Sequence, residues 1–439
     1  MTSNDGWREL CVHEFAEIIG GTTPSTAKPS HFGGDIPWIT PKDLSNFQGR
    51  YITRGERNLT QDGVDAAGLR ILPRGAVLLS TRAPVGYVAI AKNPLTTNQG
   101  FRSLVVKHGF EPEFVYYLLR HDTDRLKAFA SGTTFGELSG STLGGLHYHV
   151  PPLVEQRSIA RVLGSLDDKI ELNRRMNQTL EEICRALFKF WFVDFGPVRA
   201  KQEGRWKNGE SLPGMPADMW DLWPSEFEES DIGEIPRGWR VGPFSSVVEV
   251  NPERGLVRGE TSPYVEMAQL PTSGARVAGW VARAFASGSR FRNGDTLVAR
   301  ITPCLENGKT AYVDFLPDGQ IGWGSTEFLV LCPKRPLPTQ WAYLLARTED
   351  FRTHLIQNMS GTSGRQRAPA ECLDSFLVTV PSPEVAEHFG SVVAPWFESI
   401  KQSDAESATL AATRDTLLPK LLSGEIRVPV ERIAAGAPA

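Results

Sequence analysis

From Ile159 onwards apolar residues recur in steps of four and three: Ile159, Leu163, Leu166 and Ile170, then, beyond the polar Asn173 and Asn177, Leu180, Cys184 and Leu187. This a/d rhythm belongs to a helix that packs lengthwise on another helix. The stripe follows directly on Val150-Pro151-Pro152, where the prolines end a strand and open the helix, and Glu155 and Gln156 suit its first turn. A second Val-Pro start lies 230 residues further on, at Val380-Pro381. It leads into Phe389, Val393, Trp396, Ile400, Ser403, Ser407, Leu410, Arg414, Leu417 and Leu421 at the same spacing, with a local irregularity expected at Pro395. Both stripes turn polar at the same point, Asn173/Asn177 against Ser403/Ser407, and matched polar positions set pairing register at some cost in stability. At about 1.5 Å per residue, a helix of about 37 residues is about 55 Å long. The periodicity fits one core helix in each of two domains, and equally two helices paired with each other.

Ahead of each stripe the same landmarks recur in the same order. GWREL (6–10), RGAVLLSTRAP (74–84), FVYYLLR (114–120) and SGTTFG (131–136) precede the first; GWRVG (238–242), NGDTLVARITP (293–303), WAYLLAR (341–347) and SGTSGR (360–365) precede the second. Short β-like runs such as AVLLS, YVAIA and SLVVK in one part, and TLVAR, TAYVDF and EFLVLC in the other, predict mixed α/β globules. The expected division is a first globule at 1–150, a helical region at 151–198, an acidic, proline-containing connector at 199–236, a second globule at 237–380, a second helical region at 381–426 and a flexible tail at 427–439. The fold class is α+β, a tandem pseudo-repeat of two mixed α/β domains, each followed by a long helix. Aromatic residues in FKFWFVDF (188–195) and in the connector are too apolar for a free linker, so part of it should pack on a domain or a partner.

A chain of 439 residues suits about two to four domains. No run is apolar enough for a membrane span, and the N-terminus lacks the pattern of a secretory signal, so no membrane partner and a cytoplasmic location are expected. Five cysteines are scattered without a Cys-x-x-Cys pair, and His147-Tyr-His149 has no further ligand nearby, so neither disulfides nor a metal site are expected. The net charge of −4 hides a partition: residues 66–110 carry six basic residues and no acid, whereas 209–235 carry eight acids and no Lys or Arg.

The stretch PPLVEQRSIARVLGSLDDKI (151–170) resembles the conserved-region signature of specificity subunits of type I restriction-modification enzymes. The matching positions are Pro151, Pro152, Leu153, Glu155, Gln156, Ile159, Ala160, Leu163, Leu166, Asp167, Lys169 and Ile170. FKFWFVDF followed by IGEIPRGW (232–239) is similar to that family as well, while the second helix has neither the Glu-Gln pair nor Leu-Asp-x-Lys-Ile. The resemblance implies a non-catalytic subunit of a type I restriction endonuclease and adenine DNA methyltransferase complex. Its two target-recognition domains would each read one half of a bipartite, asymmetric double-stranded DNA target. Its two long helices would pair as an antiparallel coiled coil that fixes the gap between the halves, through Ile159, Leu163, Leu166, Ile170, Leu180, Leu187, Phe389, Val393, Trp396, Ile400, Leu410 and Leu417. Two methylation subunits and two restriction (translocase) subunits are the implied partners. S-adenosylmethionine, ATP and Mg would sit on those partners, and this chain would bind no cofactor itself.

The residues offer little to rival readings. Gly308-Lys309-Thr310 resembles the end of a phosphate-binding loop, but Pro303 stands where that loop needs Gly. Asp167-Asp168-Lys169 has the Asp-x-Lys of a nuclease but lies on the heptad helix with no Pro-Asp before it, and no Asn/Asp-Pro-Pro-Tyr/Phe exists to hold a base for methylation. A coiled-coil adaptor without a DNA role is opposed by the acid-free segment of the first copy. In the second, Arg283, Arg290, Arg292, Arg300 and Lys309 likewise face only Asp295 and Glu306. Charge and loop placement make Arg82, Asn98, Gln99, Arg102 and Thr133 the DNA-contact candidates of the first copy, and Arg300, Lys309, Arg365, Gln366 and Arg367 those of the second.

Overall fold

The structure is a computed structural model that describes residues 6–45, 47–130, 136–362 and 364–428. By its internal contacts the chain falls into two units, Met1–Leu172 with Glu406–Ala439, and Asn173–Ala405. The division cuts both long helices in the middle, so each unit holds half of each. It assigns the connector at 199–236 to the second unit.

In the first unit, the β-branched and aliphatic runs build a five-stranded sheet in the order Ala16–Gly20, Arg102–Val106, Val77–Leu79, Val88–Ala91 and Tyr51–Ile52. A three-stranded sheet of Arg57–Leu59, Phe32–Ile39 and Thr96–Thr97 stands beside it in sequence. Helix Pro112–His121 opens on a proline and lays Phe114, Val115 and Tyr117 into one buried cluster with Val77, Leu79, Ile90 and Leu104. Arg8–Cys11 and His147–Val150 pair antiparallel, Arg8 opposite Val150, which joins the two ends of this part of the chain. On that last strand Tyr148 is buried and donates to Asp122 Oδ2 at 2.5 Å, while His147 and His149 point outwards.

In the second unit, Val248–Val250, Phe328–Pro333, Thr296–Ala299 and Thr310–Tyr312 form one four-stranded sheet, and Val281–Ala284, Thr261–Val265, Gly322–Gly324 and Ser289–Phe291 form another. Arg240–Pro243 pairs with Leu377–Val380, Arg240 opposite Val380. Helix Gln340–Ala346 is buried along its whole length against the first of these sheets. The connector is no free linker: Ala200, Trp206, Met215, Met219 and Trp223 belong to the same core as Trp191 and Phe389. Each such fully buried large side chain contributes about 1.5–3 kcal/mol. Lys201 is held in this apolar setting by the carbonyls of Trp220 and Trp223, and burial lowers its pKa.

The two long helices are Leu153–Phe192 and Pro383–Leu422, 40 residues each. In the first unit Ile159, Ala160 and Leu163 share a core with Leu418, Leu421 and Leu422, and Lys169 Nζ stands 3.2 Å from Glu406. In the second unit Asn173 Nδ2 donates to the Ser403 carbonyl at 3.3 Å, Asn177 Nδ2 donates to Asp404 Oδ1 at 2.7 Å, and the Phe192 ring meets Phe389 with centroids 4.9 Å apart. Ile159, Leu163, Ile170, Leu187, Phe389, Val393 and Ile400 are buried; Leu166, Leu180, Trp396, Leu410 and Leu417 are only partly so. Phe397 and Leu418 take the deep positions in place of Trp396 and Leu417, because a helix of 3.6 residues per turn drifts against a strict heptad. The irregularity expected at Pro395 does not end the helix, which is tied down on either side by buried Val393 and Phe397. Among the described residues no helix is long and apolar enough to cross a membrane, and no group of His, Cys, Asp and Glu is placed to hold a metal ion.

Candidate nucleic-acid interface

In the first unit, three segments meet at one place on the surface: the end of strand Val77–Leu79, the turn before strand Arg102–Val106, and the segment after residue 135. Thr81 N–H donates to the Gly100 carbonyl at 2.7 Å and Leu138 N–H to the Thr81 carbonyl at 2.9 Å. The side chains gathered there are two arginines on one carboxylate. Arg82 Nε donates to Glu137 Oε2 at 2.9 Å, and Arg102 Nη2 donates to Glu137 Oε1 at 3.1 Å. Asn98 is turned inwards: its Oδ1 accepts from Gly100 N–H at 2.9 Å and shapes the turn. Gln99 sits exposed at the apex, where its Oε1 accepts from the Thr23 hydroxyl. Thr133 lies outside the described residues.

The second unit repeats the backbone pattern. Arg300 N–H donates to the Glu327 carbonyl at 3.0 Å, Ala368 N–H to the Arg300 carbonyl at 2.8 Å, and the turn is shaped by Ser325, whose Oγ accepts from Glu327 N–H at 3.1 Å. Arg367 Nε donates to Glu327 Oε1 and Oε2 at 2.8 and 2.9 Å, and Arg300 Nε reaches Oε2 at 3.4 Å. Gln366 is tied by its backbone N–H to Thr302 Oγ1 at 3.1 Å, and Arg365 beside it is exposed. Lys309 is spent on its own chain, its Nζ donating to the Met267 carbonyl at 2.8 Å. Asp295 does not dilute the basic surface: it is fully buried against Arg254 Nη2 at 3.0 Å, and burial raises its pKa against the lowering effect of the Arg292 N–H and of Arg254.

Two features were not legible in the sequence. Glu137 and Glu327, which a search for basic clusters passes over, each accept hydrogen bonds from two arginines. Exposed arginines also lie over partly buried aromatic rings, Arg57 4.0 Å from the Phe32 ring centroid in the first unit and Arg283 4.8 Å from that of Tyr264 in the second. Strand pairing brings these partners together across the chain, so no local spacing announces them.

Residues 4–182 match the family model described as type I restriction modification DNA specificity domain. The specificity subunit of the type I restriction enzyme MjaIX from Methanocaldococcus jannaschii is 35% identical over 436 residues, 96% of this chain and 94% of that one. This chain belongs to the specificity subunits of type I restriction enzymes. The HindI specificity subunit of Haemophilus influenzae is 26% identical over 72% of this chain and 77% of its own. Among solved structures, the S subunit of a type I restriction-modification system from M. genitalium superimposes with a TM-score of 0.53 at 15% identity, covering 96% and 97% of the two chains, a likeness of fold. Specificity subunits are the non-catalytic members of these enzymes.

The family signature of this specificity subunit acts mainly as internal scaffolding. Gln156 is buried, its Oε1 accepting from Glu111 N–H at 2.9 Å and its Nε2 donating to the Pro151 carbonyl at 2.8 Å. Glu155 accepts from Trp7 Nε1 at 3.0 Å. Asp167 accepts from Tyr117 Oη at 2.6 Å and from Arg414 Nη1 at 2.6 Å, and Asp168 accepts from Arg50 Nη2 at 2.8 Å. These contacts attach the first globule and the second long helix to the first long helix. In the second unit the same task falls to Tyr343, which donates to Glu181 Oε1 at 2.6 Å, and to Arg276, which bridges Asp314 at 2.7 Å and Asp404 at 3.3 Å.

Proposed function

We propose that the chain reads a bipartite, asymmetric sequence in double-stranded DNA, one half with each globule, and that the long helices, paired antiparallel, fix the gap between the halves. The carrying observation is the doubling of the basic site: in each unit the same three segments converge on two arginines at a surface loop cluster. Arginine is the side chain best matched to phosphates and to guanine edges. The pseudo-repeat and the pairing are supported by contacts within each unit that run in opposite chain directions, Lys169 with Glu406 in one and Asn177 with Asp404 in the other. Two methylation subunits and two restriction subunits assemble on this chain in the reading, and S-adenosylmethionine, ATP and Mg belong to them.

The deciding experiment is detection of methylated bases across the host genome with and without this gene. Loss of methylation from a split motif of two short blocks around a fixed gap is the expected result; an unchanged methylome overturns the reading and favours the adaptor. Removing one heptad from both helices should change the gap and leave the blocks intact, since base contacts are made by the loops and spacing by the helices.

A further inference from the structure

The Arg-Glu-Arg cluster is built twice from differently placed residues. In the first unit the carboxylate comes from the late segment, as Glu137, and the arginines from the strand end and from the start of the strand that follows the turn, as Arg82 and Arg102. In the second the carboxylate comes from the turn, as Glu327, and the arginines from the strand end and the late segment, as Arg300 and Arg367. Acid and base have exchanged segments, while the composition of the cluster is kept. Inheritance of a residue does not account for that, and neither does stability, because half-exposed ion pairs contribute little to folding.

Exposure orders each cluster in the same sense. Glu327 is 19% exposed beneath an Arg367 that is 43% exposed, and Glu137 is 23% exposed beneath an Arg82 that is 50% exposed. Arg367 presents its Nε and Nη2 side to the carboxylate, with Nη1 reaching the Arg365 carbonyl at 3.4 Å, and Arg82 turns the same side to Glu137, so the end of each guanidinium, between Nη1 and Nη2, lies away from the carboxylate. That end is a planar pair of donors of the width that guanine O6 and N7 accept in the major groove. A carboxylate behind the guanidinium holds its plane before DNA arrives, so less side-chain freedom is lost on binding. Two arginines to one acid leave each cluster with one surplus positive charge, which favours approach to a polyanion.

We propose that Glu137 and Glu327 are positioning residues that each present one arginine, Arg82 and Arg367 respectively, to a guanine in the half-target read by that unit. The inference rests on the DNA-reading function above. It commits to a G·C pair in each half of the target, at a position whose discrimination depends on the glutamate.

The test is the methylome of cells carrying the full complex with wild-type, Glu327→Gln, Glu137→Gln or Arg367→Lys subunit, with the melting temperature of each purified complex. A wild-type subunit that directs no split motif refutes the DNA-reading function itself. Given that motif, Glu327→Gln should relax a single G·C position in one half by about tenfold or more and leave the other half unchanged. Glu137→Gln should do the same in the opposite half. Arg367→Lys keeps the charge but lacks the fork, and should relax the same position as Glu327→Gln. An unaltered motif in both glutamine variants overturns the inference while leaving the DNA-reading function intact. So does a uniform loss of methylation with a lowered melting temperature, which would make the cluster a loop staple.

Discussion

Asn173 Nδ2 donates to the carbonyl of Ser403, the residue that stands 230 positions later and occupies the matching place in the second heptad stripe. A polar residue at such a seam selects one register because every other register buries it against apolar side chains. Asn173→Leu should therefore stabilise the protein, since burying a large aliphatic side chain contributes about 1.5–3 kcal/mol against roughly 1 kcal/mol for the hydrogen bond lost. Thermal unfolding reads the first effect. Sequencing of methylated sites reads the second, the appearance of additional gap lengths between the two blocks of the target.

Asp167, on the first long helix, takes Tyr117 on one oxygen and Arg414 on the other, with Arg120 at 3.6 Å. Asp167 and Arg414 are about nine-tenths buried. Asp167→Asn leaves that guanidinium with only the largely exposed Asp415, at 2.7 Å, as counter-charge and should cost about 1–3 kcal/mol, seen as a lower melting temperature. The double variant Asp167→Leu/Arg414→Leu should recover much of the loss, since replacing both charges by apolar groups removes the desolvation penalty.

Gln156 satisfies two main-chain groups at once, Glu111 N–H and the Pro151 carbonyl. Gln156→Leu keeps the size and removes both partners, at about 1–3 kcal/mol for each group left unsatisfied. Hydrogen exchange at Glu111 should accelerate in the variant, and an unchanged exchange rate there would show that the amide is held in some other way.

Burial and the nearby Glu181 carboxylate push the Cys184 thiol up to about 12. Because the thiolate is the reacting species, Cys184 should resist thiol reagents at pH 8 in the folded protein, while the half-buried Cys304 is modified. Cys184 should react once the chain is denatured. Mass spectrometry of labelled peptides distinguishes the two cysteines directly.

Much of the frame was open to reading in advance because it is written in local periodicity. Steps of four and three mark both long helices, Pro151-Pro152 and Pro381 mark their starts, and runs such as AVLLS and EFLVLC mark strands that the sheets contain. The choice of Phe397 over Trp396 and of Leu418 over Leu417 escaped the pattern, since a drift of a few tens of degrees decides between neighbours on one helix face. Candidate DNA contacts were read from charge and loop placement, and neither reveals direction. Lys309 and Asn98 carry the right chemistry yet point it at Met267 and Gly100, whereas Glu137 and Glu327 carry the wrong charge and hold the arginines in place.

What the sequence determined by itself, then, is everything that repeats at fixed short intervals: two long helices with polar breaks in their apolar stripes, the short apolar runs that become strands, and a signature that names the family. Only the tertiary structure decided which distant residues meet, Arg82 with Glu137, Arg367 with Glu327, Asp167 with Arg414. Helical and strand preferences act over a few residues and leave a visible period, whereas an ion pair between segments tens to hundreds of residues apart is set by how sheets and helices pack, which leaves no local trace.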